Sequence, residues 1–259
     1  MTDPLVIYLV LCGSAFLAGA INAVAGGGTL LTFPALFSVL GNGILANGTS
    51  TVALMPGSIA SAWGYRKELA DKRAILMPLI WPSLIGGMIG ALLVTRFPQE
   101  VFNALVPWLI LLAALLFLVQ RPIQRWMGIH LQDAPPTNRT IAMVVGFQFL
   151  IAVYGGYFGA GIGILMLSAL AFMTAGDIHH INGMKVFLAS AINAVAVVVF
   201  IAEGQVNWNY GLAMSVAAIA GGYGGARTAR RLKPVYVRTI VIAIGFGMSA
   251  YYFWQQMQK

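Results

Sequence analysis

Residues 22–29 read Asn-Ala-Val-Ala-Gly-Gly-Gly-Thr, and residues 154–163 read Tyr-Gly-Gly-Tyr-Phe-Gly-Ala-Gly-Ile-Gly. A shift of 135 residues places the first stretch on the second without a gap, so that Gly26 falls on Gly161. The shared offset continues over about 70 positions and aligns Gly28 with Gly163, Leu30 with Leu165, Asn47 with Asn182, Gly87 with Gly222 and Arg96 with Arg231. The chain therefore contains two copies of one unit. In a membrane protein, a transport path usually lies at the interface between such copies.

The composition predicts that this chain is surrounded by lipid. Apolar residues make up 59% of the sequence and charged residues only 8%, whereas an average soluble domain has roughly 25% charged residues. Cys12 is the only cysteine, which excludes a disulfide framework and any cysteine-based zinc or iron–sulfur site. The net charge of +8 comes from basic residues between apolar segments, where they set orientation and contact anionic headgroups. We therefore expect the lipid bilayer as a partner, with neither nucleic acid nor a cofactor.

Charges, prolines and glycine clusters divide each half of the chain into five apolar segments. The segments run near 5–24, 27–40, 46–64, 74–95 and 101–119, then near 139–157, 162–175, 184–201, 208–226 and 236–254. A helix needs about 20 residues to cross the hydrocarbon core of a bilayer. The second segment of each set is shorter, so it is steeply buried or a half-helix. The predicted fold class is an all-α polytopic membrane protein of about ten helical segments.

The basic residues predict how these segments cross the membrane. If all ten segments cross, 13 of the 15 basic residues lie on one side, and only Arg96 and Lys259 lie on the other. If the short segments dip and return, the counts become 8 and 7. The positive-inside rule favours the first arrangement. Both termini then face outward, and the second five-segment repeat is inverted relative to the first.

A polar stretch joins the two repeats. Residues 120–138 are the only long polar segment of the chain, and we expect them to form a cytoplasmic linker. Residues 1–119 then form the first transmembrane repeat, and residues 139–259 form the second. Both repeats place a glycine loop directly before their shortest helical segment.

The two glycine loops are candidate anion sites. Glycine leaves the backbone N–H groups uncovered, and a helix that begins at such a loop points its positive dipole end and unpaired N–H groups towards it. This arrangement binds anions. The alternative is close helix packing, which is common for small residues in membranes. We favour binding for the loops 26–28 and 159–163. We favour packing for six glycines further along the repeats, namely Gly86, Gly87, Gly90, Gly221, Gly222 and Gly225.

Lys185 is the basic residue of the second loop–helix unit, three positions after Asn182. A buried ammonium group is costly and is usually paired or functional, and an anionic substrate would be a natural partner. The alternative, in which Lys185 extends to the cytoplasmic headgroups, stays open. Its counterpart in the first repeat is Ser50, and Asn193 lies two turns further along the same helix face.

Other chemistry finds little support in the sequence. Asp177, His179 and His180 could bind a metal, but neighbouring helix positions do not share a face, so we predict a wet loop instead. No carboxylate lies in the middle of an apolar segment, and no nucleophile–base pair or metal-ligand spacing appears. We therefore do not expect an enzyme.

Four stretches of the chain resemble the sulfite exporter TauE/SafE family, also called the 4-toluenesulfonate uptake permease family. They are residues 26–34, the turn at 47–50, residues 155–163 and the segment 183–193. The resemblance implies a carrier of sulfite, sulfonates or related small anions in the inner (cytoplasmic) membrane of a bacterium. Family members often carry a second lysine where this chain has Thr49-Ser50-Thr51, which leaves one fixed positive charge here.

Together, these observations predict a secondary transporter, most simply an exporter, with a central site between inverted repeats and alternating access. The predicted substrate-binding residues are Asn22, Gly26, Gly27, Gly28, Thr29, Asn47, Thr49, Ser50, Gly159, Gly161, Gly163, Asn182, Lys185 and Asn193. Two alternatives stay open: a carrier of another small organic anion, and a structural or assembly subunit that transports nothing. The sequence also leaves open a homodimer.

Overall fold

The structure is a computed structural model that describes residues 3–24, 27–66, 69, 73–128, 137–171, 178–228 and 234–258. These residues form ten α-helices and no strand. The helices are α1 (Pro4–Val24), α2 (Thr29–Leu40), α3 (Gly43–Gly64), α4 (Arg73–Arg96), α5 (Gln99–Gly128), α6 (Asn138–Tyr157), α7 (Ile162–Ala171), α8 (Ile178–Ala202), α9 (Trp208–Thr228) and α10 (Pro234–Met257).

The protein is an all-α polytopic membrane protein, as the composition predicts. Within the described ranges, five helices are long and apolar enough to cross a membrane, and their apolar spans are residues 4–22, 73–96, 99–119, 138–157 and 180–202. Large apolar side chains face outward, among them Trp81 at 69% exposure and Val216 at 70%. Helix α2 has only 12 residues and spans about 18 Å, which is less than the hydrocarbon core of about 30 Å.

A two-residue turn connects α2 to α3. Gly41 has φ of 64°, a left-handed conformation that glycine adopts without steric cost, and its N–H donates to Phe37 O at 2.9 Å. Asn42 then caps α3, because its side-chain oxygen accepts a hydrogen bond from the N–H of Leu45 at 3.0 Å. The turn places α2 and α3 side by side, and they pack against one another.

Helices from the first half of the chain pack against helices from the second half. Helix α1 packs against α9, and α4 packs against α6. A Cβ atom at Gly90 would overlap the backbone of Val153, and one at Gly221 would overlap the backbone of Phe16. A Cβ at Gly86 would lie 2.7 Å from Phe149 O. The predicted packing role of these three glycines is therefore confirmed.

Helix α5 is longer than the apolar pattern predicts. The sequence places the start of a polar linker at residue 120, whereas the helix continues to Gly128. Apolar residues mark where a helix lies in lipid, and backbone hydrogen bonds continue the same helix beyond that boundary. Residues 129–136 of the expected linker lie outside the described part of the chain.

Candidate functional site

A central cavity of about 130 Å³ lies where the two glycine loops meet. It is lined by eight of the predicted site residues, which come from both halves of the chain. These are Asn22, Gly27, Thr29, Gly159, Gly161, Gly163, Lys185 and Asn193. The structure therefore brings together two loops that are 135 positions apart in the sequence.

The first loop is held by the side chain of Asn22. Its Oδ1 atom accepts a hydrogen bond from the N–H of Gly28 at 2.8 Å. A Cβ at Gly28 would lie 2.8 Å from Ala18 O, so this residue is packed against α1 and does not line the cavity. Because Asn22 uses its oxygen to hold the loop, its amide NH₂ group remains as a donor for the cavity.

Gly27 adopts a conformation that other residues rarely do. Its φ is 94°, and an added Cβ would overlap the ring of Phe117, which lines the cavity. Helix α2 begins directly afterwards, and Gly28 at its N-cap provides no side-chain cap. The N–H groups of Leu30 and Leu31 donate to the carbonyls of Gly27 and Gly28. Among the described residues, the N–H of Thr29 is therefore the one in this first turn that has no acceptor, and it lies at the cavity with the positive end of the α2 dipole.

The second loop also has glycines with positive φ directly before a helix start, although its other residues differ. Gly159 and Gly161 have φ of 80° and 79°, and the Tyr154 hydroxyl donates to the carbonyl of Ala160 at 2.8 Å. Helix α7 begins at Ile162, and the first N–H groups of a helix have no acceptor within the helix. The N–H of Ile164 donates to Gly161 O at 3.1 Å, so the N–H groups of Ile162 and Gly163 are the backbone donors that α7 presents to the cavity.

Lys185 on α8 lies against the first turn of α7. A Cβ at Gly163 would lie 3.3 Å from Lys185 Cδ, so the aliphatic part of the lysine packs on this glycine. The ammonium group donates to Asn182 Oδ1 at 3.2 Å. Among the described residues, Lys185 pairs with no carboxylate. An ammonium group has three donors, so Lys185 adds donors and a positive charge to the cavity.

Three predicted site residues on α3 lie outside the cavity lining, because packing contacts occupy their side chains. Asn47 is 1% exposed and donates to the carbonyl of Tyr157 at 2.9 Å. The Thr49 hydroxyl donates to Leu45 O at 2.7 Å and accepts from the N–H of Asn207 at 2.9 Å. Ser50 bonds to the hydroxyl of Thr32 on α2 at 2.6 Å. These three side chains connect α3 to its neighbours.

The other residues that the sequence analysis singled out either lie outside the cavity lining or fall outside the described part of the chain. Asn182 positions Lys185 and does not line the cavity. Gly26 and Asp177 lie outside the described residues, as does the side chain of His179.

The cavity also contains a row of hydroxyl groups that the sequence analysis did not assign to the site. Thr51 and Ser61 of α3 and Ser190 of α8 line the cavity, together with Ser58. Thr51, Ser58 and Ser61 are seven and three residues apart, and this spacing places them on one helix face. The same spacing in the sequence could have identified the row. Ser190 donates to the carbonyl of Ser58 at 3.0 Å and joins α8 to α3.

The cavity is closed at one end and continues towards the other. Phe158 lines it and packs edge-to-face on Phe33, with ring centroids 5.1 Å apart, and Phe102 packs against both rings. These three rings are buried. In the other direction, the lining follows α3 to Ser61, towards the helix end that precedes Arg66. The aromatic side is thus sealed, and the cavity extends towards a basic helix end.

An ion pair joins two helix ends at the boundary of the bundle. The Arg96 guanidinium group at the end of α4 contacts the carboxylate of Glu203, just after α8, at 2.9 Å. The side chains are 71% and 30% exposed. The pair connects the first half of the chain to the second at the end where α5 begins.

The chain is similar over nearly its whole length to one protein family and to several probable membrane transporter proteins. The model of the family described as sulfite exporter TauE/SafE matches residues 11–252. A probable membrane transporter protein of Haemophilus influenzae is 29% identical over 238 residues, covering 91% of this chain and 90% of that protein. The probable membrane transporter protein YfcA of Escherichia coli is 26% identical, covering 96% and 90%. YunE of Bacillus subtilis, with the same description, is 28% identical, covering 92% and 96%. No solved structure matches the chain.

Proposed function

The chain belongs to the sulfite exporter TauE/SafE family and is a membrane transporter, and we propose that it carries small sulfur-containing anions through its central cavity. The substrate class is sulfite, organosulfonates and related oxyanions, and net flux is export. The observation that carries the proposal is the meeting of two glycine loops, two helix N-termini and Lys185 around one cavity.

The donors of this cavity suit an anion. Helices α2 and α7 direct their positive dipole ends at the cavity, and the N–H groups of Thr29, Ile162 and Gly163 are the backbone donors there that do not bond to a loop carbonyl. Asn22 and Lys185 add side-chain donors, and Asn193 adds an amide. Oxyanions accept several hydrogen bonds at once, and charge-assisted bonds to them are roughly twice as strong as neutral ones. We infer that the anion oxygens lie between the two loops.

The size and charge of the cavity narrow the substrate class. Its volume of about 130 Å³ is several times the 10–15 Å³ that one water needs, so a small oxyanion and a few waters fit. Among the described residues that line the cavity, Lys185 is the one that is basic. One positive charge favours a monoanion, such as a sulfonate or hydrogen sulfite, over a dianion. This preference extends to small carboxylates, which are the second candidate class.

We propose alternating access as the mechanism. Helix α1 of the first half packs on α9 of the second, and α4 packs on α6. This packing between the halves supports two repeats that surround one site. The basic helix ends mark the cytoplasmic side by the positive-inside rule. The cavity extends towards that side and is sealed by the phenylalanines on the other, as expected for an inward-facing state. In this topology both termini lie on the periplasmic side of the inner membrane.

The first experiment measures flux with the purified protein in proteoliposomes. Lys185→Gln removes the positive charge of the cavity but keeps a polar side chain of similar length. A hydrogen bond to a charged group contributes about 1.5–3 kcal/mol, so we expect about 10- to 150-fold weaker anion affinity. Arg139→Gln is the matched control, because Arg139 is exposed at the start of α6 and does not line the cavity. Equal flux in the two variants would remove Lys185 from the mechanism.

A second experiment identifies the anion. Thermal unfolding of the purified protein is measured with sulfite, thiosulfate, sulfate, taurine, sulfoacetate and simple carboxylates. An anion that binds only the folded state raises the unfolding temperature by mass action. We expect sulfonates or sulfite to stabilise the wild type more than Lys185→Gln. Absence of both stabilisation and flux would favour a structural subunit instead.

A further inference from the structure

A second cavity, which we name the α3–α4 groove, opens at the lipid-facing surface. Its volume is about 500 Å³, and it lies between α3 and α4, both of which pack against α8. The lining is almost entirely apolar and includes Ile59, Met77, Ile80 and Phe187. Trp63 at one end is 69% exposed and Met77 is 65% exposed. The groove is therefore shaped for a hydrocarbon chain.

Two arginines lie among the residues that line this groove. Arg66 follows α3 and Arg73 begins α4, so both belong to the same end of the two helices. The Arg66 guanidinium group lies 5.1 Å from the centre of the Trp63 ring and donates one hydrogen bond to the Trp63 carbonyl at 3.1 Å. A guanidinium group has five N–H donors, and most of those of Arg66 have no partner within the described part of the chain.

The charge of this end is not neutralised within the described residues. Neither Arg66 nor Arg73 forms an ion pair there. The intervening sequence contains Lys67, Glu68, Asp71 and Lys72, whose charges cancel, so the segment 66–73 carries a net charge of +2 from its two arginines. An apolar groove with a positive end complements a molecule that has an anionic head and an apolar tail.

The internal duplication separates this groove from the transport site. The 135-residue shift places Arg66 on Ile201 and Arg73 on Trp208, so the second repeat has no basic residue at either position. The charges therefore do not belong to the element that the two repeats share. In the inverted topology these second-repeat positions lie on the outer side, where the positive-inside rule disfavours basic residues, so the groove with its two arginines belongs to the cytoplasmic side of the first repeat.

We propose that the α3–α4 groove binds an anionic phospholipid of the cytoplasmic leaflet. The phosphate contacts Arg66 and Arg73, and an acyl chain lies along the apolar lining. Basic pockets between transmembrane helices on this side of a membrane are suited to anionic headgroups. Leu69 lines the groove and also lies 3.6 Å from the Cβ position of Gly183 on α8. The bound lipid thus adjoins the helix that carries Lys185.

The test is native mass spectrometry of the full-length protein with phosphatidylglycerol, cardiolipin or phosphatidylcholine added. We expect the wild type to retain the two anionic lipids in preference to phosphatidylcholine. Arg66→Gln with Arg73→Gln should lower the affinity for phosphatidylglycerol about 25-fold, because each arginine near an anionic lipid surface contributes about fivefold. Arg125→Gln with Arg139→Gln removes the same charge elsewhere and should change the affinity less than twofold.

A second variant keeps the proposal testable if the double arginine variant fails to fold. Ala62→Trp fills the groove with an apolar ring and keeps both arginines. It should also lose the bound phosphatidylglycerol. Equal lipid retention by the groove variants and the control pair would overturn the proposal, as would equal retention of phosphatidylcholine and phosphatidylglycerol by the wild type. Neither result depends on which solute the protein transports.

Discussion

The conformation of Gly27 provides a sharp test of the loop geometry, because two separate costs oppose a side chain there. An L-residue in the left-handed region costs about 1–2 kcal/mol. The new Cβ of Gly27→Ala would also overlap the Phe117 ring, and overpacking of this kind costs about 1–3 kcal/mol. We therefore expect Gly27→Ala to lower the free energy of unfolding by about 2–5 kcal/mol.

Two control glycines separate these costs. Gly159 has φ of 80°, and the nearest atom to its Cβ position is Gly155 O at 3.0 Å, so Gly159→Ala should show mainly the conformational cost of about 1–2 kcal/mol. Gly146 lies inside α6 with no atom within 4 Å of its Cβ position. Alanine is favoured in a helix interior, so Gly146→Ala should stabilise the protein by about 0.5–1 kcal/mol.

A double-mutant cycle isolates the contact with the ring. Phe117→Leu removes the ring atoms that the Cβ of Gly27→Ala would meet, so the two substitutions should couple by about 1–3 kcal/mol. Gly159→Ala and Phe117→Leu should be additive. The assay is reversible unfolding in mixed micelles, with anion-induced thermal stabilisation as a second readout. The reasoning is refuted if Gly27→Ala is as stable as Gly146→Ala, or if the cycle shows no coupling.

Two further predictions concern the closed end and the helix packing. Arg96→Gln removes an exposed ion pair that contributes about 0–1 kcal/mol, so the unfolding temperature should hardly change. We expect this pair to hold the outer ends of α4 and α8 together and so to help close the cavity on the periplasmic side. In Arg96→Gln, a cysteine introduced at Ser58 of a protein with Cys12 replaced by alanine should therefore react faster with an impermeant thiol reagent from that side. An unchanged rate would contradict a role for the pair in closure. Gly90→Leu should prevent folding, because its side chain would overlap the backbone of Val153, and a normal yield of folded protein in size-exclusion chromatography would contradict this packing.

Local backbone chemistry explains why much of the site is predictable from the sequence. Glycine clusters before a short apolar segment indicate an uncapped helix start, and the structure has α2 and α7 beginning at Thr29 and Ile162. Lys185 stands out because a cation is rare in an apolar segment. The offset between the two loops also indicates that they form equivalent parts of one structure.

The direction of side chains on α3 is not predictable in the same way. Thr49, Ser50 and Thr51 are neighbours in the sequence, yet only Thr51 lines the cavity. Successive residues of an α-helix point about 100° apart, so a small error in the orientation of the helix changes which hydroxyl faces the cavity. That orientation depends on contacts with other helices, such as the bond between Ser50 and Thr32.

The most direct test of the shared anion site is a crystal structure of the protein with selenite, the selenium analogue of sulfite. Anomalous diffraction locates selenium without reference to the protein coordinates. We predict a peak in the central cavity, within hydrogen-bonding reach of Lys185 Nζ and of the first turns of α2 and α7, and its loss in Lys185→Gln. A selenium peak elsewhere in the membrane region, with the central cavity unoccupied, would contradict the account.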